Sequence, residues 1–225
     1  MSHNSSVRPG NAVEQVAKPL LRGYSHAVAA PLALVATLLL LQSASGRPER
    51  QVALGIYGVT LILLFVGSAT YHLGHWPELP ERILQRIDHS NIFLVIAGTY
   101  TPIAVAILAG WSRIVILVAV WTLALIGAAI SLLGIKVRRG VQAGLYVGVG
   151  WVAVIVAPAI FRAVGAGGSA MLLGAGALYT LGALCYAFRR PDPWHHVFGY
   201  HEVFHMMVIA ASALFVAFMA VYVAG

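Results

Sequence analysis

Charge is scarce in this chain. Only 9% of its 225 residues are Asp, Glu, Lys or Arg, and just seven of those are acidic, whereas a typical soluble domain is about 25% charged. That scarcity excludes an ordinary water-soluble globular protein. Cysteine is nearly missing too: Cys185 stands alone inside an apolar stretch, which excludes a disulfide framework and a Cys-rich zinc module. Any metal must therefore be held by His and carboxylate. The net charge of +7 does not gather on one water-facing surface; the basic residues fall in short gaps between apolar runs, so nucleic acid is not an expected partner. Met1–Leu21 is polar and lacks the short apolar core and small-residue cleavage site of a secretory signal. Residues 1–22 are read as a cytoplasmic tail and residues 23–225 as one membrane domain.

What the chain has instead is hydrophobic length. A helix needs about 20 mostly apolar residues to cross a bilayer, and seven such runs occur: Gly23–Gln42, Gln51–Leu73, Ser90–Gly110, Ile114–Ile135, Gly140–Phe161, Ala163–Phe188 and Val203–Gly225. Every charged residue lies outside them. A membrane barrel would need segments of about ten residues alternating apolar and polar; these runs are continuously apolar, so the expected fold is an all-α, seven-transmembrane-helix bundle. Gly67, Pro102 and Pro158 inside the runs fit membrane helices, where they kink or closely pack the spans. Lys and Arg mark the cytoplasmic loops. One side holds ten (Arg8, Lys18, Arg22, Arg82, Arg86, Lys136, Arg138, Arg139, Arg189, Arg190) and the other four (Arg47, Arg50, Arg113, Arg162). The N-terminus is therefore expected inside, the C-terminus outside, and the chain in the inner (plasma) membrane as a multi-pass protein.

That topology brings several chemically active residues to one level. Span two ends in Ser68-Ala69-Thr70-Tyr71-His72, and residues four apart share a helix face, so Ser68 and His72 point the same way. Span seven opens with Tyr200-His201-Glu202-Val203-Phe204-His205, the spacing by which one helix offers two imidazoles to one metal. Asp88 stands at the entry to span three. With span two running inward and spans three and seven outward, His72, Asp88, His201 and His205 all fall near the cytoplasmic leaflet. Three imidazoles with one open position make the usual catalytic zinc site, which lowers the pKa of bound water to about 7. Asp88 could take that water's proton or hold it by a hydrogen bond. Ser68 is placed either to accept a hydrogen bond from the ring nitrogen of His72 that faces away from the metal or as a hydrogen-bonding partner of the reacting group.

The other candidates have plainer readings. His75, His89, His195 and His196 fall in cytoplasmic loops as solvated residues, His89 also standing where it could orient Asp88, and His26 is an interfacial residue at the start of span one. Glu202 is rotated about 100° off the ligand face and is read as facing the interface. Tyr24, Trp76, Tyr100, Trp111, Tyr200 and Tyr222 are interfacial aromatics, while Tyr71 and Thr99 are candidates to line a cavity. The Lys136–Arg139 loop is the positive-inside signal, with a lipid headgroup contact as its alternative.

Three stretches resemble a known family: Ser68–His72; Asp88-His89-Ser90-Asn91-Ile92-Phe93 running on to Ala97-Gly98-Thr99-Tyr100-Thr101-Pro102; and Phe198–His205. In order and spacing they are similar to the signature regions of the hemolysin III family, the bacterial branch of the progestin and adipoQ receptor family. The resemblance runs from about Gly23 to the end. It implies a seven-helix fold with the N-terminus inside, zinc on His72, His201 and His205, and Asp88 and Ser68 beside the metal-bound water. It also links the chain to a superfamily that includes alkaline ceramidases, which hydrolyse lipid amides. Three functions follow as expectations. The first is a zinc-dependent hydrolase of lipid amides or esters in membrane lipid homeostasis. The second is a sensor or receptor for lipid packing or a ligand, with a structural zinc. The third, carried by the family name alone, is a cytolysin. The expected partners are membrane lipids and a lipid substrate or ligand.

Overall fold

The computed structural model describes residues 19–194 and 196–225. Residues 1–18 of the expected tail, with Arg8 and Lys18 of the basic tally, and the loop histidine His195 lie outside the described residues. Those described are helical, with one isolated bridge between Trp194 and Phe198. In chain order they form α1 (Tyr24–Ser43), α2 (Pro48–Leu73), α3 (Glu78–Ile107), α4 (Gly110–Leu132), α5 (Arg139–Gly150), a 3₁₀ segment (Trp151–Val156), α6 (Ala157–Phe188) and α7 (Tyr200–Phe218), which ends in a π-helical turn (Met219–Ala224). Six helices or helical stretches among them are long and apolar enough to cross a membrane, one being the 50-residue stretch Arg139–Phe188.

That stretch is not one rod. Trp151 Nε1 donates to Thr180 Oγ1 at 3.0 Å although the two are 29 residues apart. At about 1.5 Å per residue a straight helix would separate them by roughly 43 Å. The chain folds back at Gly165, whose φ of 64° and ψ of −167° belong to a region open essentially to glycine alone. The sequence had suggested a break at Arg162; helix continues through that residue, and the reversal comes three positions later. Upstream of the turn the helix loosens for two reasons. Pro158 cannot donate to the i−4 carbonyl, and Tyr100 inserts its hydroxyl into the ladder, donating to Gly150 O and accepting from Ala153 N, both at 2.6 Å. Tyr100 is thus buried, not interfacial.

The long loop expected between spans two and three is largely helix. α3 begins at Glu78, and its first turns, with Glu78, Glu81, Arg82 and Arg86, are too polar to register as part of a span. His89 lies inside this helix, half-buried, and its carbonyl accepts from Tyr146 Oη. α3 is the most buried span, followed by α2, whereas α1 and α4 turn residues such as Leu32, Leu38, Val118 and Ile126 outward, as helices facing lipid tails do.

Small residues let the central helices approach closely, as at membrane helix interfaces generally. A Cβ on Gly58 would sit 2.1 Å from Thr37 of α1, and one on Gly98 would sit 2.0 Å from Thr60 of α2. A third close approach positions the site: Gly67 leaves room for Asn91, whose amide donates to Leu63 O at 2.9 Å. This contact fixes α2 against α3 one residue from Ser68 and one turn from Asp88.

The two ends of the bundle are distinct. At one, Arg47 donates to Ala224 O and Arg50 to Val223 O and Gly225 O, while Arg113 pairs with Glu49 at 3.6 Å. At the other, Leu20 N and Leu21 N donate to His196 O and Val197 O, and Arg139 donates to Tyr200 Oη.

Candidate metal centre

Three histidines meet at this second end. His72 comes from the last turn of α2, and His201 and His205 from the first two turns of α7. One ligand atom from each lies within 4.8 Å of the others. His72 Nε2 and His201 Nε2 are 3.1 Å apart, and the ring centroids of His72 and His205 are separated by 5.2 Å. Two imidazoles on one tetrahedral zinc, bonded at about 2.0–2.1 Å, hold their nitrogens ~3.3 Å apart. The His72–His201 pair therefore already has the spacing of two ligands, and the third must draw inward. The donor set is all imidazole, it is largely buried, and Nδ1 of His205 has no hydrogen-bond partner. These residues fit a metal of the zinc type.

Asp88 and Ser68 join the same cluster. Asp88 Oδ2 lies 3.8 Å from His72 Nε2, too far for a hydrogen bond yet within ion-pair reach. Ser68 lies beside Asp88, close enough for its hydroxyl to hydrogen-bond the carboxylate, a contact that neither of its two expected roles includes. All five residues singled out by spacing are thus brought together. His75 and His196 are exposed, as expected of loop residues, and so are Tyr24, Trp76 and Trp111.

Two residues with bland expectations prove to belong to the site. Glu202 does point away from the ligand face, but that direction is inward. It is 2% exposed, Oε2 accepts from the Gly199 N–H that precedes α7, and Oε1 pairs with the Arg22 guanidinium. The segment Pro19–Gly23 forms a strap over this end. Gly23 makes the strap fit: its φ is 86°, and a Cβ there would lie 2.8 Å from the Cβ of His72. His26 is likewise buried rather than interfacial. Its ring stacks on that of His205, with centroids 3.9 Å apart and planes 14° from parallel. An ionisable side chain three residues into an apolar helix was the signal available for it.

A cavity of about 320 Å³ opens from the cluster into the bundle, within the size range of small-molecule sites. Ser68, Asp88, His26 and His205 border it at one end, and Trp151, Ile160 and Phe161 lie further along a largely apolar wall formed by α3, the Arg139–Phe188 hairpin and α7. Thr99 lines it, as the sequence suggested; Tyr71 does not, packing instead against the His72 ring.

Fold and site together define a multi-pass membrane protein with a buried three-histidine cluster able to hold a metal ion. The chain belongs to the haemolysin-III related family, whose sequence profile matches residues 14–216. It is 30% identical to Hemolysin-3 of Bacillus cereus, over 88% of this chain and 89% of that protein. It is also 30% identical to the Hemolysin-3 homolog of Bacillus subtilis (strain 168), over 89% and 90%. A more distant likeness, 26% identity, joins 73% of the chain to 41% of the adiponectin receptor protein of Drosophila melanogaster.

Proposed function

We propose that the protein is a zinc-dependent hydrolase of lipid amides or esters, acting in membrane lipid homeostasis. It crosses the inner membrane seven times, with its N-terminus inside and its C-terminus outside. The observation that carries the reading is the junction of a three-histidine cluster, an Asp88–Ser68 pair and an apolar cavity at one point. The reversal at Gly165 supports two crossings within Arg139–Phe188, and the basic asymmetry supports the orientation. His72, His201 and His205 would hold the zinc, which supplies Lewis acidity toward a carbonyl and toward water. Asp88 takes the proton of the attacking water and returns one to the departing amine or alcohol as the acyl–N or acyl–O bond breaks. Ser68 orients the acid, and the cavity walls keep bulk water from the acyl chain. Purified protein incubated with a lipid extract should release fatty acid, and a chelator should stop it.

A second reading is favoured by one distance. Asp88 Oδ2 lies 3.8 Å from His72 Nε2, near enough to supply a fourth ligand and close the site, which would leave a structural zinc in a membrane sensor. No fatty acid release, with zinc still present, would favour this alternative.

A further inference from the structure

The basic run Lys136–Arg139 needs only to be exposed to mark an inside loop. Lys136 and Arg138 are exposed; Arg139, the first residue of α5, is half-buried instead. Its guanidinium lies 4.9 Å above the ring of Tyr186 in α6 and 5.9 Å from that of Tyr200, and Nη1 donates to Tyr200 Oη at 3.1 Å. An aromatic ring accommodates the flat face of a guanidinium, which leaves most of its five N–H donors pointing outward from the edge. No carboxylate meets them. Among the described residues the arginines in ion pairs are Arg22, Arg82 and Arg113, and the first turn of α5 holds no acidic residue. A second unpaired cation stands close by. Arg189, at the end of α6, is exposed and near enough to act electrostatically on the Tyr186 hydroxyl. A half-buried charge without a counterion costs stability, and the gap in front of these two arginines is where an anion from outside the chain would supply one.

We propose that Arg139 and Arg189 form a binding site for a phosphate group, carried by a lipid headgroup or free in solution. Phosphate suits two guanidiniums because it has oxygens enough to take paired N–H bonds from each. Arg139 begins one arm of the Arg139–Phe188 hairpin and Arg189 follows the other, so both stand at one end of the span, where headgroups flank the hydrocarbon whichever way the chain is inserted. The anion stays at the surface. The recess bordered by Tyr186, His89, His201 and Asp88 is only about 20 Å³, room for about one water. The site is therefore separate from the apolar cavity, and it depends on neither the metal nor hydrolysis.

The test has two arms on the full chain in micelles of an uncharged detergent. Native mass spectrometry counts the lipid retained, with dioleoylphosphatidylglycerol and dioleoylphosphatidylcholine as probes that share acyl chains and a phosphodiester and differ in net charge. Calorimetry measures the binding of inorganic phosphate. The wild type should prefer the anionic lipid by about tenfold, the weight of one charge-assisted hydrogen bond, or bind inorganic phosphate. A lipid preference without phosphate binding assigns the site to a headgroup, phosphate binding without a lipid preference assigns it to a free anion, and both together to the phosphate whatever carries it. Arg139→Gln and Arg189→Gln should each lose most of the binding, whereas Arg82→Gln, which alters an exposed arginine paired with Glu78, should keep it. Arg189 is exposed, so its variant carries the test should Arg139→Gln not fold. Equal retention of the two lipids with no phosphate binding, undiminished binding in Arg189→Gln, or an equal loss in Arg82→Gln would overturn the proposal.

Discussion

His72 and His201 stand 129 residues apart in the chain and 3.1 Å apart between their Nε2 atoms. Two ring nitrogens that close either share a proton or face a common cation, and His205 on the same helix turns the pair into a trio. The purified protein is expected to carry about one zinc per chain. The His201→Ala/His205→Ala double variant should lose it and melt at a lower temperature, because metal binding energy is available to the fold. Elemental analysis decides this, and full occupancy in the double variant would reject the site.

Asp88 separates the two readings of function. If it acts on water, Asp88→Asn should keep zinc and lose turnover by ~10²–10⁴-fold, the contribution of a positioned general base. If it closes a structural site, the same substitution should release metal and destabilise the protein. Zinc content, melting temperature and lipid turnover measured on one preparation give opposite signs for metal in the two cases. Retained zinc with undiminished turnover would remove Asp88 from the chemistry, and His75→Ala serves as an exposed-histidine control.

The Arg22–Glu202 pair holds the strap to the first turn of α7. Glu202→Ala removes the partner of a mostly buried guanidinium and the acceptor of the Gly199 N–H. Breaking such a pair costs about 3–5 kcal/mol when fully buried, and the residual exposure of Arg22 places the expected loss near the lower end. Zinc affinity, read by chelator competition, should fall with it, since His201 is the neighbour of Glu202. Arg22→Lys, which keeps the charge, should be milder on both counts. Unchanged affinity and melting temperature in Glu202→Ala would show the strap to be decorative.

Orientation is tested by a reporter fused after Gly225. It should read as outside the cytoplasm, in keeping with the ten-to-four distribution of basic residues. A cytoplasmic reading would reject the seven-crossing topology.

The histidine cluster was legible in the sequence because two rules that operate independently agree on it. Helical periodicity pairs Ser68 with His72 and His201 with His205, and alternating spans place α2, α3 and α7 at one level. His26, Glu202 and Tyr100 were not legible in the same way. Distance from a span end makes His26 and Tyr100 look interfacial, and rotation off the ligand face does the same for Glu202, whereas the burial of each depends on something distant in sequence: the ring of His205 for His26, the loosened helix at Gly150–Ala153 for Tyr100, and the Pro19–Gly23 strap for Glu202. The start of α3 was hidden for a different reason. Hydropathy registers where a helix enters lipid, and Glu78–Ile87 is helix that stands outside it. At the hairpin, Arg162 was taken as a loop marker because it is charged, but an exposed arginine fits readily on a helix surface; the backbone reverses where glycine permits it.

Arg47, which precedes α2, and Arg50, in its first turn, have a bearing on how the histidines are held. Arg47 and Arg50 hold the carbonyls of the last three residues, so α7 is anchored to α2 at the end opposite the histidines whether or not an ion is bound. The end that carries the histidines is held separately, by the Arg22–Glu202 pair. The helix is therefore moored at bow and stern by the chain's own side chains, and His201 and His205 are kept beside His72 by the polypeptide itself.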